Sequence, residues 1–138
     1  MGVELPQGAK DLLDGRTYVV LTTIRSDGGP QSVVTWASRD GNDVLITTRR
    51  GVAKEVNINR DPRVSVCFFD PGRPGEAYTV YGSATLSEEG ADDLVAEHSG
   101  KYVPTRPDPV TYLRRKGDDF TSPNVVIRVT PEKVREHH

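Results

Sequence analysis

Between residues 47 and 66 the chain reads "TTRRGVAKEVNINRDPRVSV". Two hydroxyls, Thr47 and Thr48, are followed at once by two guanidinium groups, Arg49 and Arg50. A glycine comes next, and Lys54 follows within one helical turn. A strand that ends this way and passes into a helix offers hydroxyl donors, a forked cation and the unpaired N–H groups of a helix start, which together suit a phosphate. Lys54 would reach back over the helix start. Arg50 supplies a fork matched to phosphate oxygens. The same residues also read as a solvated basic turn that neutralises Glu55, Asp40 or Asp43, because clustered surface charge contributes little by itself.

The elements that must hold this junction can be read on either side of it. "LPQGAKDLLDG" (residues 5–15) has the spacing of a short amphipathic helix closed by Gly15. "TYVVLTTI" is rich in β-branched residues and reads as a strand. "RSDGGP" and "DGND" are hairpin turns on either side of a second strand, "QSVVTWASR". "VLITTRR" is the third strand, and the helix over residues 52–60 is stopped by Pro62. "RVSVCFFD" is the fourth strand, "PGRPGE" a loop, and "AYTVYGSATLS" the fifth strand, with Gly82 at a bulge or close backbone approach. "SEEGADDLVAEHSGKY" reads as a helix N-capped by Ser87, and "RPDPVTYLRRKG" as a proline-rich stretch leading into a short helical piece. "NVVIRVTPEKV" is the last strand. Six short strands joined largely by hairpins predict a mainly β fold, a small antiparallel barrel with peripheral helices, and residues 1–138 as one domain.

Composition removes several function classes. The net charge is −2, so no general attraction to nucleic acid or an anionic membrane is expected. The cations at the turn lack the interleaved aromatics of a nucleic-acid surface. No stretch approaches the ~20 apolar residues of a membrane span. "MGVELPQGAKDLL" lacks the basic and apolar regions of a secretory signal, so a cytoplasmic protein is expected. The single cysteine, Cys67, lies in an apolar run and reads as a core residue in a reducing compartment.

Other chemistry-bearing residues are sparse. There is no nucleophilic triad, no metal-spaced set of His and Cys, and no carboxylate pair placed for acid–base work, so no catalytic residue is assigned and no metal site is expected. His98 lies in a polar helical stretch and reads as a surface residue. Trp36 reads as core or as a neighbour of a bound ring. Tyr78 and Tyr81 could line a pocket or an interface.

The stretch from Gly28 through Val66 resembles the core of the pyridoxamine 5′-phosphate oxidase-like split β-barrel proteins, in the flavin/deazaflavin oxidoreductase branch. Four motifs carry the resemblance. They are Gly28 to Gln31 opening the second strand, Ala53–Lys54 with Asn57, Arg60 to Ser65, and the final strand Val125 to Val134. The resemblance covers residues 14–134. It implies an FMN-binding split barrel. Lys54 matches the lysine on the cofactor phosphate, with Asn57 beside it. Thr47, Thr48 and Arg50 fall where relatives place hydroxyls and a cation on that phosphate. Gln31, Ser32, Val33 and Val34 fall on the strand against which the ring system rests. Pyridoxamine-phosphate oxidases proper carry an arginine immediately before the lysine; here that residue is Ala53, which argues against that activity. Arg49, Arg50, Lys54 and Arg60 would suit the longer anionic tail of F420, so the resemblance implies an F420-dependent reductase of a small electron-poor acceptor (quinone, enone or tetrapyrrole), with an FMN enzyme or a non-catalytic F420 carrier as alternatives. It also implies a homodimer whose interface holds the ring. Phe68, Phe69, Tyr78 and Tyr81 would supply the apolar surface of that dimer.

Overall fold

The computed structural model describes residues 2–104 and 122–137. The proline-rich stretch and short helical piece expected between residues 106 and 117 lie outside the described residues. The elements run in the order α1 (Gln7–Asp14), β1 (Val19–Ile24), β2 (Pro30–Thr35), β3 (Ser38–Asp40), β4 (Asp43–Arg49), α2 (Ala53–Arg60), β5 (Arg63–Asp70), β6 (Arg73–Ser87), α3 (Ala91–Tyr102) and β7 (Asn124–His137). The described strands form one antiparallel sheet in the order β2-β1-β5-β6-β7-β4-β3.

The expected six strands are therefore seven, because "QSVVTWASR" is broken. β2 pairs with β1 at one edge of the sheet, and β3 pairs with β4 at the other. Only Trp36 and Ala37 separate them, so the sheet must curl until its two edges lie side by side. The split barrel follows from that connection. The Ala37 amide is tied at the bend by the Tyr102 hydroxyl, 3.1 Å away.

Strand alternation fills the barrel. Val19, Leu21, Val44, Ile46, Val66, Phe68, Val80, Ile127 and Val129 all point inward and are buried. α1 contributes Ala9 and Leu13 at the end where Phe68 pairs with Tyr78, and α2 contributes Ile58 at the end where Thr23 lies. Gly82 sits where the β6–β7 register shifts, and a Cβ there would lie 2.1 Å from the Thr130 carbonyl oxygen. Only glycine fits that approach.

Several expectations need correction. The loop "PGRPGE" is a tight turn at Pro71–Gly72, because β6 already starts at Arg73, opposite Asp70. α3 begins at Ala91 after Gly90, whose φ of 74° is left-handed, and Ser87 only accepts from the Glu89 amide at 3.2 Å. Gly15 does close α1 as expected, in extended geometry. Cys67 is half-buried and alternates away from the core residues Val66 and Phe68. Phe68 is buried, and Tyr78 packs against the core. Only Phe69 and Tyr81 of the four aromatics proposed for a dimer face are exposed.

Candidate functional site at the β4–α2 junction

β4 presents its residues alternately to the two faces of the sheet. Thr48 follows Val44 and Ile46 inward and is buried, whereas Thr47 and Arg49 face outward, opposite Val126 and Asn124. The two threonines therefore cannot serve one ligand together. Gly51, with φ of 87°, turns the chain, and Val52 enters α2 without any side-chain cap. Val52 has no side-chain oxygen to give the first-turn amides of α2.

Glu55 organises the turn. Its buried carboxylate accepts from Arg50 Nη1 at 2.9 Å, from the Gly51 amide at 3.1 Å and from Asn59 Nδ2 at 2.6 Å. Burial works against charge there, but the Arg50 guanidinium and these N–H donors hold the carboxyl below its ordinary range. Arg50 also donates from Nε to Glu88 at 3.2 Å, and its backbone amide is bonded to the Pro123 carbonyl. Arg50 is thus a brace between α2, β7 and the start of α3. The neutralising reading of the basic turn holds for Arg50 and Glu55. It does not hold for Asp40 and Asp43, which are both paired with Arg128.

Along α2, Lys54 lies one turn before Asn57 on the same side of the helix. Lys54 is half-buried and Asn57 buried. Asn57 Nδ2 donates to Thr23 Oγ1 at 3.0 Å and to Gln31 Oε1 at 2.9 Å, while its Oδ1 accepts from Arg60. Asn57 therefore stitches α2 to β1 and to edge strand β2. β2 divides the four expected ring contacts. Gln31 and Val33 face inward, toward α2 and the core, whereas Ser32 and Val34 face out. Ser32 Oγ is 2.7 Å from Thr22 Oγ1, and Val34 is 70% exposed. On this outer face the register aligns Ser32, Thr22, Ser65 and Tyr81 in one row.

The donor set at the junction fits a phosphate ester: an uncapped helix start, Lys54 in its first turn, and Thr47 and Arg49 on the outer face of β4. A separate groove of about 420 Å³ between α3 and the outer face of β4, β6 and β7 does not. Its rim carries Glu89, Asp93 and Glu97, and its one cation among the described residues, Arg128, is held by Asp40 and Asp43. Among the described residues, no group of three or more His, Cys, Asp or Glu is placed to hold a metal ion, and no helix is long and apolar enough to cross a membrane.

His98 is not on the surface. It is fully buried, with Nε2 2.9 Å from Ser38 Oγ, and burial beside Lys101 lowers its pKa to about 4. Sequence reasoning also passed over Glu55 as an organiser. Its place three residues after the N-cap position, where a glutamate can reach back to a backbone amide, is the signal that could have found it.

The family described as Pyridoxamine 5′-phosphate oxidase matches residues 5–138. No curated protein matches in sequence. Among solved structures, an "F420 Reductase" is similar, with a TM-score of 0.79 and 24% identity over 95% of this chain and 98% of that one. A conserved hypothetical protein from Mycobacterium tuberculosis has a TM-score of 0.73 and 21% identity, over 99% and 86% of the two chains. A pyridoxamine 5′-phosphate oxidase-related, FMN binding protein from Nostoc punctiforme has a TM-score of 0.63 and 20% identity, over 99% and 86%.

Proposed function

The chain belongs to the pyridoxamine 5′-phosphate oxidase family, and on that premise we propose that it is an F420-dependent reductase of a small electron-poor acceptor. The observation that carries the reading is the uncapped start of α2 beside Lys54. Lys54, the first-turn amides, Thr47 and Arg49 hold the anionic part of the cofactor. The ring system rests against edge strand β2, where Gln31 on the inner face meets it and Val33 supports the strand from the core, while Ser32 and Val34 are left to the outer face. Thr48, Arg50 and Asn57 shape the site from behind: Thr48 from the core, Arg50 through Glu55, and Asn57 through Gln31. Bound reduced F420 supplies the hydride, and the protein supplies binding, orientation and polarity. A quinone, an enone or a tetrapyrrole is the class of acceptor. The exposed apolar side chains Val34, Phe69 and Tyr81 support a homodimer, since a second copy would bury them twice. Residues 1–138 would then act as one cytoplasmic domain.

One observation favours FMN as a second reading. Arg50 is consumed by Glu55 and Glu88, so the junction offers fewer cations to a polyglutamate tail than its sequence suggests. Absorbance titration of the purified protein with F420 and, separately, with FMN distinguishes the two. Oxidation of reduced F420 with a panel of quinones then separates a reductase from a carrier. Binding of neither cofactor would overturn the proposal.

A further inference from the structure

Three side chains, Arg60 and Asn57 of α2 and Gln31 of β2, form a chain of hydrogen bonds with a fixed direction. Arg60 Nη2 donates to Asn57 Oδ1 at 3.2 Å and also to the Ile24 carbonyl. A guanidinium has donors only, so the atom of Asn57 that faces it must be the oxygen. The Asn57 amide nitrogen is thereby turned toward Thr23 Oγ1 and Gln31. The atom of Gln31 that meets this nitrogen must in turn be its oxygen, 2.9 Å away. Gln31 is half-exposed, and its Nε2 is not among the buried unpartnered atoms. Two amides in series, each with a distinguishable oxygen and nitrogen, thus take their polarity from one exposed arginine.

We infer that Arg60 is a positioning residue that, through Asn57, fixes the Gln31 side chain as a hydrogen-bond donor toward the ring system of the bound cofactor. The inference rests on the function proposed above for the ligand it names, but the relay itself lies within this chain. A donor at Gln31 recognises an acceptor. The acceptor both F420 and FMN carry is a carbonyl oxygen of the pyrimidinedione part of the ring. Without Arg60 nothing forbids a concerted turn of both amides, which would present the Gln31 oxygen to that carbonyl and repel it. Thr23 does not prevent the turn, because a hydroxyl can donate as well as accept.

The test has two arms. In the ligand-free protein, Arg60→Met should shift the side-chain amide NMR signals of both Asn57 and Gln31, and Arg60→Lys, which keeps a donor-only group, should restore them. Gln31 signals unmoved by Arg60→Met would overturn the relay. In titrations with F420 and with FMN, Gln31→Glu keeps an oxygen for Asn57 but replaces the outward donor with an acceptor. It should weaken both cofactors by roughly ten- to hundredfold, the range for a lost hydrogen bond that leaves a mismatched pair. Arg60→Met should weaken them less, with Arg60→Lys recovering most of the loss. Unchanged affinity in Gln31→Glu would overturn the donor assignment. Wild-type protein that binds neither cofactor would overturn the proposed function and the ligand end of the relay, while the amide signals would still decide whether Arg60 sets Gln31.

Discussion

Where β4 passes into α2, polar groups are partly open to solvent; where α3 meets the β2–β3 bend, a second polar cluster is closed. In the closed cluster, Lys101 Nζ donates to the Leu13 and Ala37 carbonyls, both at 2.7 Å. The Tyr102 hydroxyl accepts from the Ala37 amide and donates to the Thr17 carbonyl, and Trp36 stacks on its ring at 5.1 Å. His98 holds Ser38. These donors are spent on the protein's own backbone and fix the bend that curls the sheet. At the α2 junction Arg50 is likewise spent, on Glu55 and Glu88, while the helix start remains uncapped. A donor belongs to the fold or to a ligand according to whether the chain itself supplies its acceptor, and residue type does not decide this. Arg50 and Lys101 are structural by this measure.

The contrast is broken most severely from the closed side. Tyr102→Ala removes a buried ring and the hydroxyl that bonds the Ala37 amide and the Thr17 carbonyl, and should destabilise the protein by about 3–5 kcal/mol in urea unfolding. A loss under about 1 kcal/mol would mean that the bend is set elsewhere.

Next in size is the effect of pH. His98 has a folded pKa of about 4 against an ordinary 6.5, so the unfolded chain binds its proton first as pH falls. Its contribution to stability is complete above pH 6.5 and is lost progressively down to about pH 4. At about 1.4 kcal/mol per pH unit, the loss is about 3 kcal/mol. His98→Gln, which stays neutral, should show a flatter stability profile across that window. An identical profile would move the acid sensitivity to another group. Glu55, whose carboxyl is held low by Arg50 and the Gly51 amide, loses its contribution only as pH falls below the ordinary carboxylate range.

How far the sequence foretold these two regions depends on the range of the contacts that make them. β5 was legible to the residue as "RVSVCFFD", because alternation and flanking turn signals are local. The break between β2 and β3 was not, since Ala37 is held by Tyr102 from 65 positions away. His98 was misread from its polar neighbours. Yet Ala91, Leu94, Val95 and Tyr102 recur at helical spacing with it and mark the buried stripe of α3. At the candidate site, the strand-to-helix turn and its cluster of hydroxyls and cations were readable from residue type and order. The division of Gln31–Val34 between two faces follows from strand period alone, whereas the loss of Arg50 to Glu88 needed the fold, because the two are 38 positions apart.

From the open side the effects are on binding. Lys54→Ala should weaken F420 binding by about 1.5–3 kcal/mol, the range for a hydrogen bond to a charged group. The unfolding free energy in urea should fall by less than the binding free energy does. The reverse outcome, lost stability with retained affinity, would place Lys54 with the closed cluster.

The smallest effect asks whether Arg49 sorts with Lys54 or with Arg50. It faces outward from the last position of β4, opposite Asn124, whereas Arg50 is bound to two carboxylates. A cation of this kind near a bound polyanion contributes about 0.5–1 kcal/mol, and less as salt is added. Arg49→Gln should therefore weaken F420, with its charged tail, by about that amount at low ionic strength, and FMN by less. The difference should shrink at high salt. Arg50→Gln should instead lower stability, by leaving the buried Glu55 without its guanidinium, and should show no preference between the cofactors. If titrations of the Arg49 variant give equal losses for F420 and FMN at every salt concentration, Arg49 serves only the shared phosphate, and the case for the longer cofactor loses the cation it most needs.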